Sequence, residues 1–378
     1  MVSMETAKVI HLEKANTLSS FLSEKEREEI VSLKITGFVG RKDFDEVLDD
    51  MCSVYGEYDD DDNFIPDYEC SPAIRHLDLG EAFYVDGDEL PYFGFYAQLE
   101  TLILPQGIKS TLEDPEIQSG VSESEMLKTL VFPEGIKKII GYAWCEKLEG
   151  VVLPEGVEEI EEHAFGSCAS ITSIRIPSSV RGFDGTCFAG CNIEAYEVAE
   201  DNESFVAMDG VVYTKDLKKL VAFPTAYPHK HFVVPPTTQV IGRGAFWNSR
   251  IESIDLPDGL SVIEEEAFTF CKIQRMEMPD TVKVIGKEIF SFCFNLTHVR
   301  LSKGLTTIPK HTFWRCDDLK TVVVVSIVPP ILMDRIKKDD MMYKKATILV
   351  PPEAVENYKN EPAWKCFGNI VPNEEKFG

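Results

Sequence analysis

Leu148–Cys168, LEGVVLPEGVEEIEEHAFGSC, and Ile251–Cys271, IESIDLPDGLSVIEEEAFTFC, follow one pattern. Each stretch opens with an apolar residue, has two more apolar residues just before a proline, turns at a glycine and ends in Ala-Phe-x-x-Cys. Further copies begin at Ile171, Ile273 and Leu296. The corresponding prolines occur at positions 105, 133, 154, 177, 235, 257 and 279, so the period is about 22 residues with two longer intervals.

A fixed period in the twenties with L-x-x-L-x-L strands is typical of a leucine-rich-repeat solenoid. The pattern predicts an α/β but mostly β fold: a right-handed solenoid with an inserted β-hairpin sheet and terminal caps. Each repeat of a solenoid contacts only its neighbours, so a chain of 378 residues needs no division into globular domains. Strand residues alternate between faces, which turns repeat positions 1, 4 and 6 inward and positions 3 and 5 outward.

The predicted organisation has three parts. Residues 1–73 form an N-terminal cap with helices and the first rung, residues 74–350 form the solenoid, and residues 351–378 form a C-terminal cap. The proline interval of 58 residues leaves room for an insert at about 199–232. Within it, Asp209-Gly210 lies between two short apolar runs, which predicts a β-hairpin with a two-residue turn.

Both caps carry local signals. Ser23 precedes Glu26 by three residues, as in a helix capping box, and a further helix is expected at roughly Asp43–Ser53. Near the other end, proline opens a short helix in residues 351–360, because proline suits the first helical turn. Large apolar residues beyond it are expected to cover the last rung: Trp364, Phe367 and Ile370.

Cysteine and phenylalanine each recur at one repeat position. The cysteines are Cys168, Cys191, Cys271, Cys293 and Cys316, and Ser249 takes their place in one copy. We expect small buried thiols there, since free cysteine packs as a small hydrophobe; a disulfide ladder and a thiolate metal site are the alternatives. An internal aromatic ladder is predicted from Phe165, Phe188, Phe246, Phe268, Phe290 and Phe313.

Charge and hydropathy exclude several partner classes. The net charge of −26 repels phosphate backbones and anionic headgroups, so we expect no nucleic-acid or lipid partner. The sequence holds no apolar run of roughly 20 residues, so no membrane insertion is expected. A weak cation site is possible at the acidic stretch Glu57–Asn63, although a solvated loop fits its consecutive aspartates better than ligand spacing does.

No motif for catalysis or for a cofactor stands out. The sequence lacks the nucleophile-elbow, zinc-protease and phosphate-loop patterns, so we predict a protein that is not an enzyme and holds no cofactor. His229-Lys230-His231 alone is a weak metal signal, and a surface loop is the better interpretation. No catalytic or metal residue is therefore assigned.

The outward strand positions give the candidate ligand-binding residues. Their N-terminal half is small and apolar, and their C-terminal half alternates acidic with basic residues. The charged candidates are Arg175, Glu197, Asp255, Arg275, Glu277, His298 and Arg300. The alternative is a merely solvated face with cross-strand ion pairs such as Glu277–Arg300 or Asp255–Arg275.

Three stretches resemble the BspA-like leucine-rich repeat family: the repeats themselves, the hairpin Met208–Lys215 followed by Ala222-Phe223-Pro224, and the ending after Val350-Pro351. The resemblance spans roughly residues 74–372. It implies non-enzymatic surface or secreted proteins, mostly of bacteria and some protists, that bind other proteins, including host matrix proteins. The sequence as printed opens without a basic-then-apolar signal segment, so a cytoplasmic location stays open beside the surface one.

Two functions follow as hypotheses. The first is a protein-binding or adhesion scaffold that holds its ligand on the strand face. The second is a carbohydrate-binding or enzyme-accessory module, for which Trp247 and Trp314 are the candidate residues at neighbouring turns. Solvent-exposed, coplanar indoles there favour the second hypothesis.

Overall fold

The computed structural model describes residues 7–52, 56–58, 64–66, 73–90, 99–111, 126–140, 145–333, 345–367 and 369–374. The chain divides into two compact units. Unit 1 comprises residues 1–183, 187–192 and 197–203, and unit 2 comprises residues 184–186, 193–196 and 204–378.

The strands are short and are numbered in chain order. They are β1 (Ala7–Leu12), β2 (Ser32–Val39), β3 (Gly56–Tyr58), β4 (Phe64–Pro66), β5 (His76–Tyr84), β6 (Thr101–Ile103), β7 (Thr129–Val131), β8 (Lys138–Ile139), β9 (Gly150–Val152), β10 (Glu159–Ile160), β11 (Ser173–Ile176), β12 (Ala195–Val198), β13 (Phe205–Met208), β14 (Val211–Thr214), β15 (Lys219–Ala222), β16 (His231–Val233), β17 (Val240–Ile241), β18 (Ser253–Asp255), β19 (Val262–Ile263), β20 (Arg275–Glu277), β21 (Val284–Ile285), β22 (His298–Leu301), β23 (Thr307–Ile308), β24 (Thr321–Val324), β25 (Ile331–Leu332), β26 (Thr347–Val350) and β27 (Asn369–Pro372).

Helical segments are few and short. They are α1 (Glu24–Glu29), α2 (Arg41–Asp43), a π-helical turn (Phe44–Leu48), α3 (Asp49–Cys52), α4 (Val355–Asn360) and 3-10 turns at Leu18–Ser20, Gly185–Phe188, Pro352–Ala354 and Trp364–Cys366. The capping box predicted for α1 is confirmed: the Ser23 hydroxyl accepts from the Glu26 N–H, and the Glu26 carboxylate accepts from the Ser23 N–H.

A parallel sheet forms one face of unit 1, with the strand order β1-β2-β5-β6-β7-β9. Its registers align one buried row across neighbouring strands: Leu33, Leu77, Leu102, Leu130 and Val151. Each of these residues is at the central inward position of its strand. The repeat therefore begins before the first repeat proline, as the sequence pattern predicted.

The corresponding strands of unit 2 pair as β16-β18 and as β20-β22-β24-β26-β27, all in parallel. Their buried central row includes Met276, Val299, Val322, Ile348 and Ile370. Ile370 was expected only to cover the last rung. It instead belongs to a strand, β27, which adds one more rung to the sheet.

A V-x-x-I segment follows the glycine turn of the repeats, as in Val157–Ile160, and contributes two-residue strands to a second parallel ladder. In unit 2 this ladder runs β15-β17-β19-β21, and β23 pairs with β25. In unit 1, β8 pairs with β10. Two-residue strands satisfy backbone donors and acceptors between repeats, so this side of the repeat is hydrogen-bonded rather than loop-like.

The predicted hairpin insert is confirmed. Strands β13 and β14 are antiparallel, and Asp209 (φ 51°) and Gly210 (φ 77°) form the turn between them. Positive φ at both central residues is the mark of a type I′ turn, whose twist suits a hairpin. The third strand, β15, pairs antiparallel with β14 and parallel with β17, which makes the insert continuous with the second ladder.

The predicted phenylalanine ladder fills the core of the turn side. In unit 2, the ring centroids of Phe246 and Phe268 are 5.0 Å apart, and those of Phe268 and Phe290 are 5.8 Å apart. The Phe165 and Phe188 rings stack at 5.5 Å in unit 1. All these rings are buried, which confirms the core-packing interpretation.

The repeated cysteines are buried and free, as predicted, among the residues that the structure describes. Neither alternative is supported within those ranges: no disulfide links them, and no cluster of three or more metal-binding side chains occurs. The thiols of Cys191, Cys293 and Cys316 donate to the phenylalanine carbonyl of the preceding repeat, as from Cys191 to Phe165 at 3.1 Å and from Cys316 to Phe290 at 3.0 Å. The thiol thus joins successive repeats.

Candidate binding surfaces

The strand face of unit 2 carries most of the predicted ligand-binding residues. Their outward positions are confirmed by the alternation of burial along β18, β20 and β22. Parallel register places Arg275 beside His298 and Glu277 beside Arg300. The backbone therefore holds these side chains in fixed rows, one strand spacing of about 4.8 Å apart.

Arg275 and Glu277 are two accessible charges of this face. Their side chains remain 62% and 59% exposed, and the guanidinium is 4.0 Å from the carboxylate on the same strand. Such a loose, solvated pair contributes little to stability. Both groups therefore remain available to a ligand.

Arg300 is less accessible to a ligand than Arg275 and Glu277 are. Its guanidinium donates to the Met278 carbonyl at 2.8 Å and to the Asp280 carboxylate at 3.0 Å, and three quarters of the side chain is covered. Arg300 thus pairs with Asp280, and not with Glu277 as the alternative of a solvated face suggested. Because these two contacts fix the guanidinium, Arg300 shapes the edge of the face and offers little free charge to a ligand.

His298 is half-buried beside two cations. Desolvation lowers the pKa of its imidazole, and the charges of Arg275 and Lys320 lower it further. Its Nδ1 is 2.9 Å from the Thr297 hydroxyl. The ring is therefore neutral at pH 7 and can offer both a hydrogen-bond donor and an acceptor.

Asp255 pairs with His231, not with Arg275 as the sequence suggested. Its carboxylate is 3.4 Å from Nε2 of His231, whose Nδ1 is 2.8 Å from the Ser253 hydroxyl. Serine, histidine and aspartate are the residue types of a nucleophilic triad. Here, however, all three are exposed on a flat strand face.

The same histidine–hydroxyl pairing recurs in unit 1. His11 Nδ1 is 2.9 Å from the Thr36 hydroxyl, and His76 Nδ1 is 3.2 Å from the Thr101 hydroxyl. Each pair joins directly opposed residues of neighbouring parallel strands. Because the pairing recurs, it is explained by the register of neighbouring strands, which places a histidine opposite a hydroxyl residue. His231 and Ser253 are opposed in the same way.

Arg175 and Glu197 lie on unit 1. Glu197 is exposed on β12, and Arg175 on β11 pairs with Glu155 at 3.2 Å, both side chains of the pair being more than half exposed. Arg175 also lines a surface depression with Val198, Ala199, Glu200 and Asp201. The lining of this depression is mainly polar and holds two carboxylates and one guanidinium.

The strand face of unit 1 is apolar at one end, as the sequence predicted. Ile103, Val131 and Val152 form one register row, in which Val131 is 42% and Val152 is 81% exposed. Beside Val152, a Cβ added to Gly150 meets nothing within 4 Å. This row is a strip of accessible aliphatic surface on a rigid sheet.

The turn side of unit 2 carries a row of partly exposed aromatic rings, of which the sequence pointed only to the two tryptophans. We define the aromatic row as Trp247, Phe270, Phe292 and Trp314. The centroids of Trp247 and Phe270 are 6.0 Å apart, those of Phe270 and Phe292 are 4.5 Å apart, and those of Phe292 and Trp314 are 4.8 Å apart. Phe294 packs edge-on against Phe292 at 6.1 Å.

The two predicted indoles thus lie at the ends of a longer row. Trp314 is 42% exposed and Trp247 is half-buried. The condition of two exposed, coplanar indoles is not met, because Trp247 is half-buried; the parallel rings of the row are Phe270 and Phe292, within 1° of each other. The signal for these phenylalanines is the F-x-F spacing, in which each ring follows a ladder phenylalanine by two residues.

Comparison with known proteins places these repeats. Residues 140–206 and 221–334 match the family described as "BspA type Leucine rich repeat region", in six copies. These two stretches of the chain are BspA-type leucine-rich repeats. A search of curated proteins found no match.

Two solved structures are similar to this chain in fold. A leucine-rich repeat protein from Eubacterium ventriosum is 16% identical in sequence to this chain and has a TM-score of 0.50. The match covers 92% of this chain and 74% of that protein. The pneumococcal vaccine antigen PcpA is 18% identical in sequence and has a TM-score of 0.53. The match covers 93% of this chain and 82% of that protein. At these identities the likeness concerns the fold alone.

The cation site and the absence of membrane insertion are the two remaining predictions. The acidic stretch predicted as a weak cation site lies outside the described residues, apart from Glu57 and Tyr58 in β3, whose side chains are not described either. Among the described residues, no helix is long and apolar enough to cross a bilayer.

Proposed function

We propose that this chain is a non-enzymatic protein-binding scaffold that acts on the cell surface or after secretion and holds a protein ligand on its strand face. The observation that carries the proposal is the exposed pair Arg275 and Glu277 on β20, which the parallel register with β22 holds on the strand face of unit 2. The BspA-type repeats support it, since repeat proteins use extended strand surfaces for binding.

Rigid presentation favours binding at this face. The parallel ladder already fixes the backbone of each strand, so a ligand need order only side chains such as Arg275 and Glu277. Preorganisation of this kind reduces the entropic cost of association. Alternating charges supply specificity and register to an incoming protein more than they supply raw affinity.

The aliphatic strip of unit 1 supplies a second kind of contact. Apolar residues are concentrated at the centre of protein interfaces, whereas charged residues are depleted there. Val152 and Val131 offer such a contact, and Arg175 with Glu197 offers charges on the same unit. Each unit therefore presents a surface of its own character.

A charge-reversal experiment tests the proposal. The full chain is measured by surface plasmon resonance against a panel of purified extracellular-matrix proteins, beside the double variant Arg275→Glu/Glu277→Arg. We expect a matrix protein to bind the native chain and to bind the variant at least about tenfold more weakly, or about 1.4 kcal/mol.

The matched control is Lys283→Glu, an exposed charge change beside the second ladder strand β21. It is expected to leave binding unchanged. The proposal fails if no protein of the panel binds, or if the control weakens binding as much as the double variant does.

The proposed location has a separate test. Intact cells of the source organism are treated with an externally added protease and then probed with an antibody against this chain. Loss of the antigen from intact cells, or its presence in the culture medium, supports surface display or secretion. An antigen that is protected until the cells are lysed contradicts it.

A further inference from the structure

The aromatic row of unit 2 is not accounted for by the strand face. Its rings lie at the turns, whereas the buried phenylalanine ladder beside it already fills the core. Phe270 is 38%, Phe294 45% and Trp314 42% exposed. These rings therefore offer surface that the fold itself does not use.

The backbone at the two central rings is unusual for phenylalanine. Phe270 and Phe292 both have φ of 58°, in the left-handed region. The same repeat position also has positive φ at Ser167, Gly190, Asn248 and Arg315, so this conformation belongs to the turn of the repeat. Glycine and asparagine suit this conformation, whereas a bulky residue there is an outlier.

The size of the row indicates a narrow ligand. Aromatic side chains bury about 150–250 Å² each, so rings exposed by roughly two fifths offer about 80 Å² apiece and a few hundred Å² together. A standard protein interface needs about 800 Å² from each partner. Three strand spacings make the row only about 14 Å long. A short linear chain fits these dimensions and a globular partner does not.

The orientation of the rings indicates how such a linear ligand is bound. The central pair, Phe270 and Phe292, is stacked, but Trp314 and Phe294 cross the plane of Phe292 at 61° and 64°. Trp314 and Phe294, at this end of the row, remain 42% and 45% exposed. Aromatic ring faces carry negative quadrupole density and attract the polarised C–H groups of a pyranose ring.

Polar side chains flank the same end. His311 is 5.3 Å from Trp314 by ring centroids and 3.4 Å from the Glu288 carboxylate, and Arg315 pairs with Asp317 at 3.7 Å. These groups donate and accept hydrogen bonds and so match sugar hydroxyls. The net charge of −26 disfavours an anionic sugar.

We propose that the aromatic row binds a neutral oligosaccharide, with pyranose faces on Trp314 and Phe294 and hydroxyl groups directed at the flanking charges. The proposal is independent of the strand-face function. It concerns other residues and another class of ligand.

Calorimetry and indole fluorescence test it on the full chain. The probes are hexasaccharides of β-1,4-linked glucose, β-1,4-linked N-acetylglucosamine and α-1,4-linked glucose. At least one of them is expected to bind at millimolar or lower concentration and to shift the tryptophan emission. Phe292→Asn and Trp314→Ala are each expected to weaken binding at least about tenfold.

Control measurements distinguish the loss of an aromatic ring from unfolding of the protein and from an effect of the strand face on sugar binding. Phe292→Asn places a residue suited to positive φ at that position, so its thermal midpoint stays near the native one. Phe38→Asn removes an exposed phenylalanine of unit 1, and Arg275→Glu changes the strand face; both keep full sugar binding.

The proposal is overturned if none of the three hexasaccharides binds, or if Phe292→Asn and Trp314→Ala bind as the native chain does. It is also overturned if a proline-rich peptide binds the row, with the same two variants losing that binding, while the sugars do not bind. Proline-rich segments are the other narrow ligands that dock on aromatic surfaces.

Discussion

The thiol of Cys293 donates a hydrogen bond to the carbonyl oxygen of Phe268, one repeat earlier, with the sulfur 3.0 Å from the oxygen. The same carbonyl also accepts the N–H of Cys271 at 2.9 Å. A carbonyl has two lone pairs, so the thiol fills the second. Cysteine at this position is therefore a link between repeats as well as a small buried residue.

Replacing Cys293 distinguishes these two roles. Cys293→Ala removes the sulfur and leaves the Phe268 carbonyl one partner short, which we expect to cost about 1–2 kcal/mol. Cys293→Ser keeps a donor and is expected to cost less, since buried Ser249 occupies this position in another repeat. Urea unfolding midpoints compare the variants. A serine variant less stable than the alanine variant would show that only apolar packing matters.

The buried thiols also predict how stability changes with pH. Burial raises the pKa of Cys271 to about 12, and it raises the pKa of Cys191, Cys293 and Cys316 as well. In the unfolded chain these thiols ionise at about pH 8.5–9. Above that pH the unfolded state binds fewer protons than the native state, so stability falls as pH rises, by up to about 1.4 kcal/mol per pH unit for each such thiol.

Unfolding midpoints at about pH 8 and about pH 10 measure this effect. The native chain is expected to lose stability over that interval, and Cys293→Ala to lose less, because one ionising thiol is absent from its unfolded state. Equal slopes for the two proteins would contradict the assignment. Labelling with a thiol reagent at about pH 8 gives an independent check, since buried neutral thiols react only after unfolding.

Much of the fold could be predicted from spacing alone. The period of about 22 residues located the strands, and one position per repeat predicted the stacked core rings, such as Phe246 on Phe268. Asp209-Gly210 predicted the hairpin because few other dipeptides accept positive φ at both turn positions. These features depend on local chemistry that repeats, so a single sequence reveals them.

The second ladder could not be predicted in the same way. Its strands, such as Val262–Ile263, are two residues long, too short for any alternation of apolar and polar residues to appear. Strand β27 was hidden for a related reason, because Ile370 occurs beyond the last repeat proline and looks like an isolated apolar residue.

At the strand face the positions were predictable but their partners were not. Alternation placed Arg275, Glu277 and Arg300 outward. Opposed register then suggested Glu277 for Arg300, yet the long guanidinium side chain reached Asp280 and the Met278 carbonyl instead. A long, flexible side chain can reach several neighbouring partners, and the sequence alone does not show which partner it contacts.

Two glycines make a matched pair for a stability test. Gly210 has φ of 77°, and a Cβ there comes within 2.8 Å of the Ala195 Cβ, whereas a Cβ on Gly150 meets nothing within 4 Å. We expect Gly210→Ala to cost about 1–2 kcal/mol, from the left-handed backbone and the steric contact. Gly150→Ala is expected to be neutral or slightly stabilising. Thermal midpoints of the two variants measure the difference, and equal midpoints would contradict the role of the turn.

The C-terminal cap of unit 2 depends on Trp364, which is buried and donates from Nε1 to the Pro330 carbonyl at 2.9 Å. Tyr358 packs edge-on against it at 5.0 Å and donates its own hydroxyl to the Ser326 carbonyl. Trp364→Phe keeps most of the packing but loses the hydrogen bond, so we expect it to cost about 1–2 kcal/mol. Trp364→Ala also opens a cavity and is expected to cost about 3–5 kcal/mol.

Limited proteolysis and urea unfolding together test the capping role of Trp364. If the cap shields the last rungs, Trp364→Ala exposes β26 and β27 to protease before the rest of unit 2 is cleaved, because terminal repeats need a covered end to stay folded. The control is Lys359→Ala on the exposed side of α4, which is expected to leave both readouts unchanged. A Trp364→Ala chain cleaved no faster than the native chain would contradict a capping role, since the last strands would then be protected without the indole.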